Sequence, residues 1–283
     1  MTTRLAGMSR ENVLVSTSWA SSRLADDSVV FLEVDEDVTA YHTDGHIPGA
    51  VALNWRTDLQ QEFVRDLVDR ERFGELMSER GISRDHTIVV YGGNHNWFAA
   101  YAYWYLRLYG HADVRLLDGG RMKWEREGLP METELPERPT TDYVADEQDL
   151  SIRAFREDVL AGLGSDALVD VRSVDEFTGR LSAPAGLPQE GGRQRGHIPG
   201  AVSVPWNRAV TRDGTFRPDD ELRRIYADLI DDPDRRVVAY CRIGERSSHT
   251  WFVLHELLGQ SHVVNYDGSW VEYGSLIGVP VER

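Results

Sequence analysis

The sequence contains a single cysteine among its 283 residues. A lone cysteine forms no internal disulfide and cannot complete a multi-cysteine metal site, which excludes a disulfide scaffold and a cysteine-rich zinc site. Since disulfides mark oxidising compartments, we expect a cytoplasmic protein. Long apolar runs are also missing, because no stretch approaches the roughly 18 residues of a membrane helix. Residues 1–20 have no signal-peptide core, and we expect no membrane partner.

Positive charge is scarce as well. The chain carries 31 Lys and Arg against 47 Asp and Glu, which gives a formal net charge of −16 at pH 7. Such a charge repels polyanions and disfavours nucleic acid and anionic membrane surfaces as partners. An anionic substrate would therefore need a local cluster of arginines to overcome the field of the whole chain.

An internal repeat organises the chain. The segment 44–51 recurs as 195–202, and both copies contain the sequence Gly-His-Ile-Pro-Gly-Ala-Val. Further along, the apolar run 88–91 matches 237–240 at a similar separation of about 150 residues. Several matches in the same order predict two copies of one domain.

Strands and helices alternate within each copy. Short apolar runs suited to buried parallel strands lie at 29–34, 88–91, 168–171 and 237–240. The segments 97–109 and 248–258 follow the second strand of each copy, and each ends at a glycine that favours a helix stop. This alternation predicts an α/β fold in which each domain is a mainly parallel sheet flanked by helices.

The cysteine lies between a predicted strand and a predicted helix. It opens the loop 241–247, whose sequence is Cys-Arg-Ile-Gly-Glu-Arg-Ser. Backbone N–H groups of such a loop, together with the guanidinium groups of Arg242 and Arg246, would lower the pKa of Cys241. Glu245 is expected to point outward, towards solvent or an arginine. Although a lone cysteine is commonly a small buried hydrophobe, its arginines and its place at the carboxyl edge of the sheet favour a nucleophile.

These motifs resemble those of the tandem-domain rhodaneses, the thiosulfate sulfurtransferase family. The cysteine loop is similar to the family's active-site loop, and the repeated Gly-His-Ile-Pro-Gly-Ala segments and the segment 170–177 are similar to its other signatures. The resemblance runs from about Val13 to Val281 and implies one active and one inactive domain. The sequence agrees, because the N-terminal copy has Gly92 where the other copy has Cys241. We predict an inactive N-terminal rhodanese-like domain at 1–135, a linker at 136–150 and a C-terminal domain with the catalytic loop at 151–283.

The resemblance also implies a reaction. The Cys241 thiolate would take the outer sulfur of thiosulfate, release sulfite and hold a persulfide, which cyanide, a small thiol or a thioredoxin-like acceptor then discharges. This chemistry requires no metal and no organic cofactor. The residues predicted to bind the substrate are Arg242, Ile243, Gly244, Glu245, Arg246, Ser247 and Arg172. Asp170, Asp35 and His46 are predicted as supporting residues, with a structural ion pair as the alternative for Arg172 and Asp170 and loop anchoring as the alternative for His46.

Three other functions stay open. A 3-mercaptopyruvate sulfurtransferase would use residues like Asp35 and His46 in a proton relay with a loop serine, but Ile243 stands at that position. A phosphatase or arsenate reductase of the same fold would have an arginine six positions after the cysteine, where this chain has Ser247, and its loop is one residue longer. A carrier that passes sulfur to a specific protein would use the same Cys241.

Overall fold

The structure, a computed structural model, describes residues 10–184 and 192–283. These residues form two compact units. One unit comprises residues 10–149 together with Arg212–Phe216, and the other comprises the described parts of Leu150–Thr211 and Arg217–Arg283. The domain limits and the linker at 136–150 remain predictions. No helix in the described ranges is both long and apolar enough to cross a bilayer.

The first unit contains a five-stranded sheet in which every pairing is parallel. The strand order is β1-β5-β4-β2-β3, with β1 at Leu14–Val15, β2 at Val29–Asp35, β3 at Val51–Asn54, β4 at Thr87–Tyr91 and β5 at Val114–Leu117. Its helices are α1 (Arg10–Val13), α2 (Thr17–Ser21), α3 (Thr39–Thr43), α4 (Arg70–Glu79), α5 (Trp97–Leu108) and α6 (Gly120–Arg126). Strands β2 and β4 are mostly apolar, apart from Glu33 and Asp35 in β2 and Thr87 in β4. Apolar strands are expected because helices cover both faces of a parallel sheet.

The helices of the first unit show how local sequence sets their limits. Helix α4 begins after Asp69, whose carboxylate accepts a hydrogen bond from the N–H of Arg72 at 2.8 Å. Helix α5 is buried on almost all sides, which explains why its twelve residues include a single charge, Arg107. It ends before Gly110, where φ is +75°. The prediction of a helix at 97–109 is confirmed to within one residue.

The second unit contains a four-stranded parallel sheet. The order is β7-β6-β8-β9, with β6 at Ala167–Asp170, β7 at Val202–Ser203, β8 at Val237–Tyr240 and β9 at Val263–Asn265. The helices are α7 (Arg156–Ala161), α8 (Val174–Phe177), α9 (Asp219–Ile225), α10 (Glu245–Trp251) and α11 (Ser269–Tyr273), and a π-helix at Phe252–Leu257 continues α10. Short 3₁₀ turns lie at Leu150–Ile152, Trp206–Ala209 and Ala227–Leu229. The predicted α/β class with parallel sheets is confirmed.

Helix α10 begins three residues earlier than the sequence predicted. The expected start was Ser248, but the helix starts at Glu245, directly after Gly244 with φ of +101°. This left-handed angle, which glycine adopts at little cost, lets the chain turn into the helix at once. The hydroxyls of Ser247 and Ser248, which lie inside this helix, both donate to the Gly244 carbonyl at 2.9 Å. The first turn of α10 therefore belongs to the cysteine loop.

The strand register of the second sheet shows where the cysteine loop lies. Asp170 pairs with Tyr240 in β6 and β8, and Ala239 pairs with Asn265 in β8 and β9, so the carboxyl ends of all three strands meet at one edge. Cys241 follows Tyr240 directly at this edge. In α/β folds, this edge is where ligands bind.

Candidate active site

Cys241 is fully buried and held by backbone hydrogen bonds. The N–H of Gly244 donates to its Sγ at 3.1 Å. Its own N–H donates to Oγ of Ser269 at 3.0 Å, and its carbonyl accepts from the N–H of Trp270 at 3.1 Å. The first two residues of α11 therefore fix the backbone position of Cys241.

The pKa of Cys241 is raised, whereas the loop sequence predicted that it would be lowered. Burial is the largest cause, and the negative charge of Glu245 raises the pKa further. The charge of Arg246 and the backbone N–H groups of Ser247 and Ile243 act in the opposite direction without offsetting this rise. Burial and the charge of Glu245 therefore favour the thiol form of Cys241 over the thiolate.

Glu245 points into the loop. Its Oε2 lies 3.6 Å from Sγ of Cys241, and the residue is only 3% exposed. The expectation that Glu245 faces solvent is therefore wrong. The cause is the early start of α10, because Glu245 becomes the first residue of the helix and its side chain turns back over the loop.

Arg246 is bound to a buried carboxylate. Its two terminal nitrogens donate to the two oxygens of Glu176 at 2.9 and 3.0 Å, and both residues are at most 3% exposed. Burial acts to raise the pKa of Glu176, but the hydrogen bonds and charge of Arg246 outweigh it, and the pKa lies below its ordinary value. The guanidinium was predicted to hold an incoming anion. Its charge is balanced by Glu176, and its role in binding the substrate stays a prediction.

Arg172 makes a similar pair with Asp170. Its Nε lies 2.9 Å from one oxygen of Asp170, a terminal nitrogen donates to the Gly196 carbonyl at 2.7 Å, and both side chains are fully buried. The guanidinium also lies over the ring of Trp270, 4.7 Å from its centre. These contacts are those of the structural ion pair given as the alternative. The role of Arg172 in substrate binding stays a prediction.

The remaining loop residues differ in exposure. Arg242 and Ile243 are half-buried, whereas Gly244 and Ser247 are buried. Ser247 Oγ lies 2.6 Å from Oδ1 of Asn265 at the end of β9. Arg242 and Ile243 are therefore the loop residues that solvent reaches.

Glu176, Ser269 and Asn265 position the loop but were not predicted to do so. The sequence does contain a signal for a structural role of Glu176. Ser173 and Glu176 match the Ser-x-x-Glu pattern of a capping box, and the structure contains this capping box at the start of α8. No sequence pattern indicated the roles of Ser269 and Asn265. Their partners, Cys241 and Ser247, become their neighbours only when the strand ends meet in the folded sheet.

Replacing Gly244 by alanine is expected to distort the loop. A Cβ at this position would lie 2.7 Å from Cα of Asp267, and the φ of +101° is itself unfavourable for alanine. We expect a loss of more than about 2 kcal/mol in the free energy of unfolding and a slower reaction of Cys241 with iodoacetamide. Urea unfolding and a timed alkylation measure the two effects.

The matched control for Gly244→Ala is Gly259→Ala. Gly259 also has a positive φ, +74°, but nothing lies within 4 Å of its added Cβ. The Gly259→Ala variant should lose only roughly 1 kcal/mol in the free energy of unfolding, which is the cost of placing alanine in the left-handed conformation. Equal losses in the two variants would show that Asp267 does not constrain the loop.

The corresponding loop of the first unit has no nucleophile. Gly92 occupies the position of Cys241, and its N–H donates to Oδ1 of Asn96 at 3.1 Å. Asn96 also donates to the Leu117 carbonyl at 2.6 Å and is fully buried. Asn94, His95 and Asn96 all have positive φ, between 48° and 64°. An amide side chain therefore fills this loop.

Asp35 and His46 both belong to the first unit. The carboxylate of Asp35 accepts from the N–H of Gly93 at 2.8 Å, and burial raises its pKa to about 7. Nδ1 of His46 lies 3.0 Å from the Tyr41 carbonyl, and its ring stacks on Tyr41 with centres 3.9 Å apart. His46 thus makes the contacts of a loop anchor, which was the alternative for this residue. The supporting roles of both residues stay predictions.

Replacing Asp35 by asparagine is expected to stabilise the protein, and more so as pH rises. Between the ordinary pKa of 3.8 and the folded value of about 7, the unfolded chain loses the Asp35 proton while the folded unit keeps it. The wild type therefore loses stability over this interval, whereas asparagine can still accept from Gly93. We expect the difference in free energy of unfolding between Asp35→Asn and the wild type to be roughly 1–3 kcal/mol more favourable to the variant at about pH 8 than at about pH 4. Urea unfolding at the two pH values measures this difference.

Asp37→Asn provides the comparison. Asp37 is exposed, and the hydroxyl of Thr39 lowers its pKa, so its variant should show a small change of the opposite sign. If the stability that Asp35→Asn gains over the wild type decreased as pH rises, the raised pKa of Asp35 would be contradicted.

Comparison with known proteins bears on both halves of the chain. The rhodanese-like domain family matches residues 16–127 and 155–276. A protein of Mycolicibacterium smegmatis, provisionally named a thiosulfate sulfurtransferase, is 60% identical over 275 residues, which cover 97% of this chain and 99% of that protein. The sulfur carrier protein TtuD of Thermus thermophilus is 50% identical over 282 residues, with coverages of 98% and 99%.

A solved structure shares the fold along nearly the whole chain. The 3-mercaptopyruvate sulfotransferase SseA of Escherichia coli superposes with a TM-score of 0.78 at 27% identity, covering 91% of this chain and 98% of that one. The two matched segments correspond to the two copies of the internal repeat. The chain therefore belongs to the rhodanese family and carries two rhodanese-like domains in tandem.

Proposed function

We propose that this protein is a thiosulfate sulfurtransferase in which Cys241 carries the transferred sulfur as a persulfide. The observation that carries the proposal is the N–H of Gly244, which donates to Sγ at 3.1 Å. A backbone donor aimed at the sulfur stabilises the negative charge of a thiolate and of a persulfide. The name of the Mycolicibacterium smegmatis relative supports the same activity.

The reaction proceeds in two half-reactions. In the first, the Cys241 thiolate attacks the outer sulfur of thiosulfate, the S–S bond breaks, and its electron pair leaves with sulfite. A thiolate and a dianion thereby give a persulfide anion and a sulfite dianion, so the charge balances. In the second, cyanide or a thiol takes the terminal sulfur and the thiolate is regenerated. Such a sequence gives ping-pong kinetics.

The loop residues divide between substrate contact and positioning. Arg242 and Ile243 meet the donor, because they are the half-buried residues of the loop and Arg242 carries a charge that complements thiosulfate. Arg246 acts through its bidentate contact with Glu176, which holds the first turn of α10 in place. Ser247 acts through the Gly244 carbonyl, which it approaches to 2.9 Å.

A second candidate is a carrier that exchanges sulfur with protein persulfides. The observation that favours it is the internal balance of charge, since Arg246 and Arg172 are each bound to a carboxylate. A loop balanced in this way attracts a dianion less strongly than three uncompensated arginines would. A persulfide carries at most one negative charge, and the Thermus thermophilus relative is named a sulfur carrier.

Intact-protein mass after donor treatment tests both candidates. The full chain is mixed separately with thiosulfate, with mercaptopyruvate and with a small organic persulfide. A gain of about 32 Da with thiosulfate, absent in Cys241→Ser, is the expected result for one covalently held sulfur. A gain with the organic persulfide alone would favour the carrier, and a gain with mercaptopyruvate alone would favour that donor. No gain with any donor would contradict a sulfur-transfer function.

A further inference from the structure

The carboxylate of Glu245 lies where it can exchange a proton with the reactive sulfur. Its Oε2 is 3.6 Å from Sγ of Cys241, and both residues are almost completely buried. We propose that Glu245 is a catalytic base, which takes the proton of the Cys241 thiol and holds it beside the persulfide until the sulfur leaves. This inference rests on the proposed function, in which Cys241 is the nucleophile.

A base beside Sγ would assist the reaction because the surroundings of Cys241 favour its thiol form. The thiolate is the nucleophilic form, and a thiol buried beside a carboxylate yields it poorly. Burial and the charge of Glu245 both raise the pKa of Cys241. Arg246 opposes them, but its guanidinium is bound by both oxygens of Glu176. The arrangement therefore does not create a free thiolate, and it provides a proton acceptor in contact with the thiol.

The other polar groups around the loop are already engaged. Ser269, which accepts the N–H of Cys241, donates its hydroxyl to the Tyr266 carbonyl at 2.7 Å. On the turn that follows β9, Asp267 is paired with Arg153 at 3.0 Å. On the strand β6 side, Asp170 is paired with Arg172. Glu245 is the carboxylate that faces Sγ within hydrogen-bonding distance.

The proposed step conserves atoms, electrons and charge. The S–H bond of Cys241 breaks as the proton moves to Oε2 of Glu245, and the electron pair on Sγ forms the bond to the outer sulfur of thiosulfate. The S–S bond of thiosulfate breaks, and sulfite leaves with that pair. The neutral carboxyl of Glu245 then donates to the persulfide anion. When an acceptor thiolate takes the terminal sulfur, Sγ recovers its electron pair and the proton returns to it.

Protonation of Glu245 also removes a repulsion. An ionised carboxylate beside a persulfide anion would destabilise it, because two like charges would share a buried site. With the proton on Glu245, the same contact becomes a hydrogen bond to the anion. A single proton moving over this contact therefore serves both half-reactions.

The pH dependence of Cys241 reactivity in Glu245→Gln tests the proposal. In the wild type, the thiol–carboxylate pair and the thiolate–carboxyl pair contain the same number of protons. The rate of sulfur loading from thiosulfate should therefore be nearly flat over neutral pH. In Glu245→Gln, the proton must go to water, and the rate should rise about tenfold per pH unit below the thiol pKa. At about pH 6, we expect the variant to load sulfur on the order of 10²-fold more slowly.

The opposite outcome would overturn the proposal. If Glu245 were only a repelling charge, its removal would lower the pKa of Cys241, and Glu245→Gln would react faster than the wild type at about pH 6. Parallel pH profiles would equally exclude a base. Glu245→Asp keeps a carboxylate and should restore the flat profile at a lower rate, and thermal unfolding shows whether each variant is folded. Glu221→Gln, which removes a half-buried carboxylate of α9 that pairs with Arg217, is the control and should follow the wild type.

Alkylation by iodoacetamide separates this inference from the function on which it rests. The chain has one cysteine, so the modification reports Cys241 alone and needs no sulfur donor. A flat alkylation profile that becomes steep in Glu245→Gln, in a protein that gains no sulfur from thiosulfate, would support the base and contradict the proposed function. Sulfur loading with parallel profiles would support the function and contradict the base.

Discussion

Cys241→Ser is expected to reduce sulfur transfer from thiosulfate to less than a few per cent of the wild-type rate. A serine oxygen cannot form a persulfide, and its hydroxyl ionises far less readily than a thiol. Thiocyanate formation from thiosulfate and cyanide measures the loss. Intact mass should show no added sulfur after thiosulfate treatment.

The fold should survive this change. Serine is close to cysteine in size, and its Oγ can accept the N–H of Gly244 that Sγ accepts at 3.1 Å. Thermal unfolding of Cys241→Ser should therefore stay close to that of the wild type. Wild-type protein alkylated with iodoacetamide is the chemical counterpart and should lose activity to the same extent. Turnover above a few per cent in a correctly folded serine variant would contradict the assignment of the nucleophile.

Arg246→Ala is expected to destabilise the protein by about 3–5 kcal/mol. The substitution leaves the carboxylate of Glu176, which is fully buried, without the two hydrogen bonds that Arg246 donates. Urea unfolding measures the loss, and a fall of about 10 °C in Tm should accompany it. The effect is larger than that of losing a single contact with a substrate, because a buried charge loses its partner.

Two further variants test whether the loss of stability comes from the Arg246–Glu176 ion pair or from removing any arginine of the loop. Arg242→Ala removes the half-buried arginine of the same loop and should change stability by less than about 1 kcal/mol. The double variant Arg246→Met with Glu176→Met removes both charges together and should recover part of the lost stability. A loss below about 1 kcal/mol in Arg246→Ala would show that the pair with Glu176 is not needed for folding.

Features of the fold that depend on short stretches of sequence could be predicted. The apolar run at 237–240 coincides with β8, and the helix predicted at 97–109 coincides with α5 to within one residue. The repeated segments pointed to two similar domains, and the family match covers both. Such signals suffice because apolar periodicity and glycine stops act over a few residues.

The start of α10 could not be predicted in the same way. A serine before an apolar helical stretch is a usual N-terminal signal, and the helix predicted at 248–258 begins at such a serine. The chain instead enters the helix after Gly244, where φ is +101° and where an added Cβ would lie 2.7 Å from Cα of Asp267. Asp267 is a neighbour only because β8 and β9 pair side by side.

The sequence by itself determined the family, the α/β class, the duplication and the position of the single cysteine at the carboxyl edge of a strand. Only the tertiary structure decided the charge around that cysteine. In the folded chain, Arg246 pairs with Glu176, which lies 70 positions away in the sequence, and the carboxylate of Glu245 faces Sγ of Cys241. The reason is physical: the effect of a charge on a thiol depends on distance and burial, and both are set by which strand ends and helix turns meet, not by spacing along the chain.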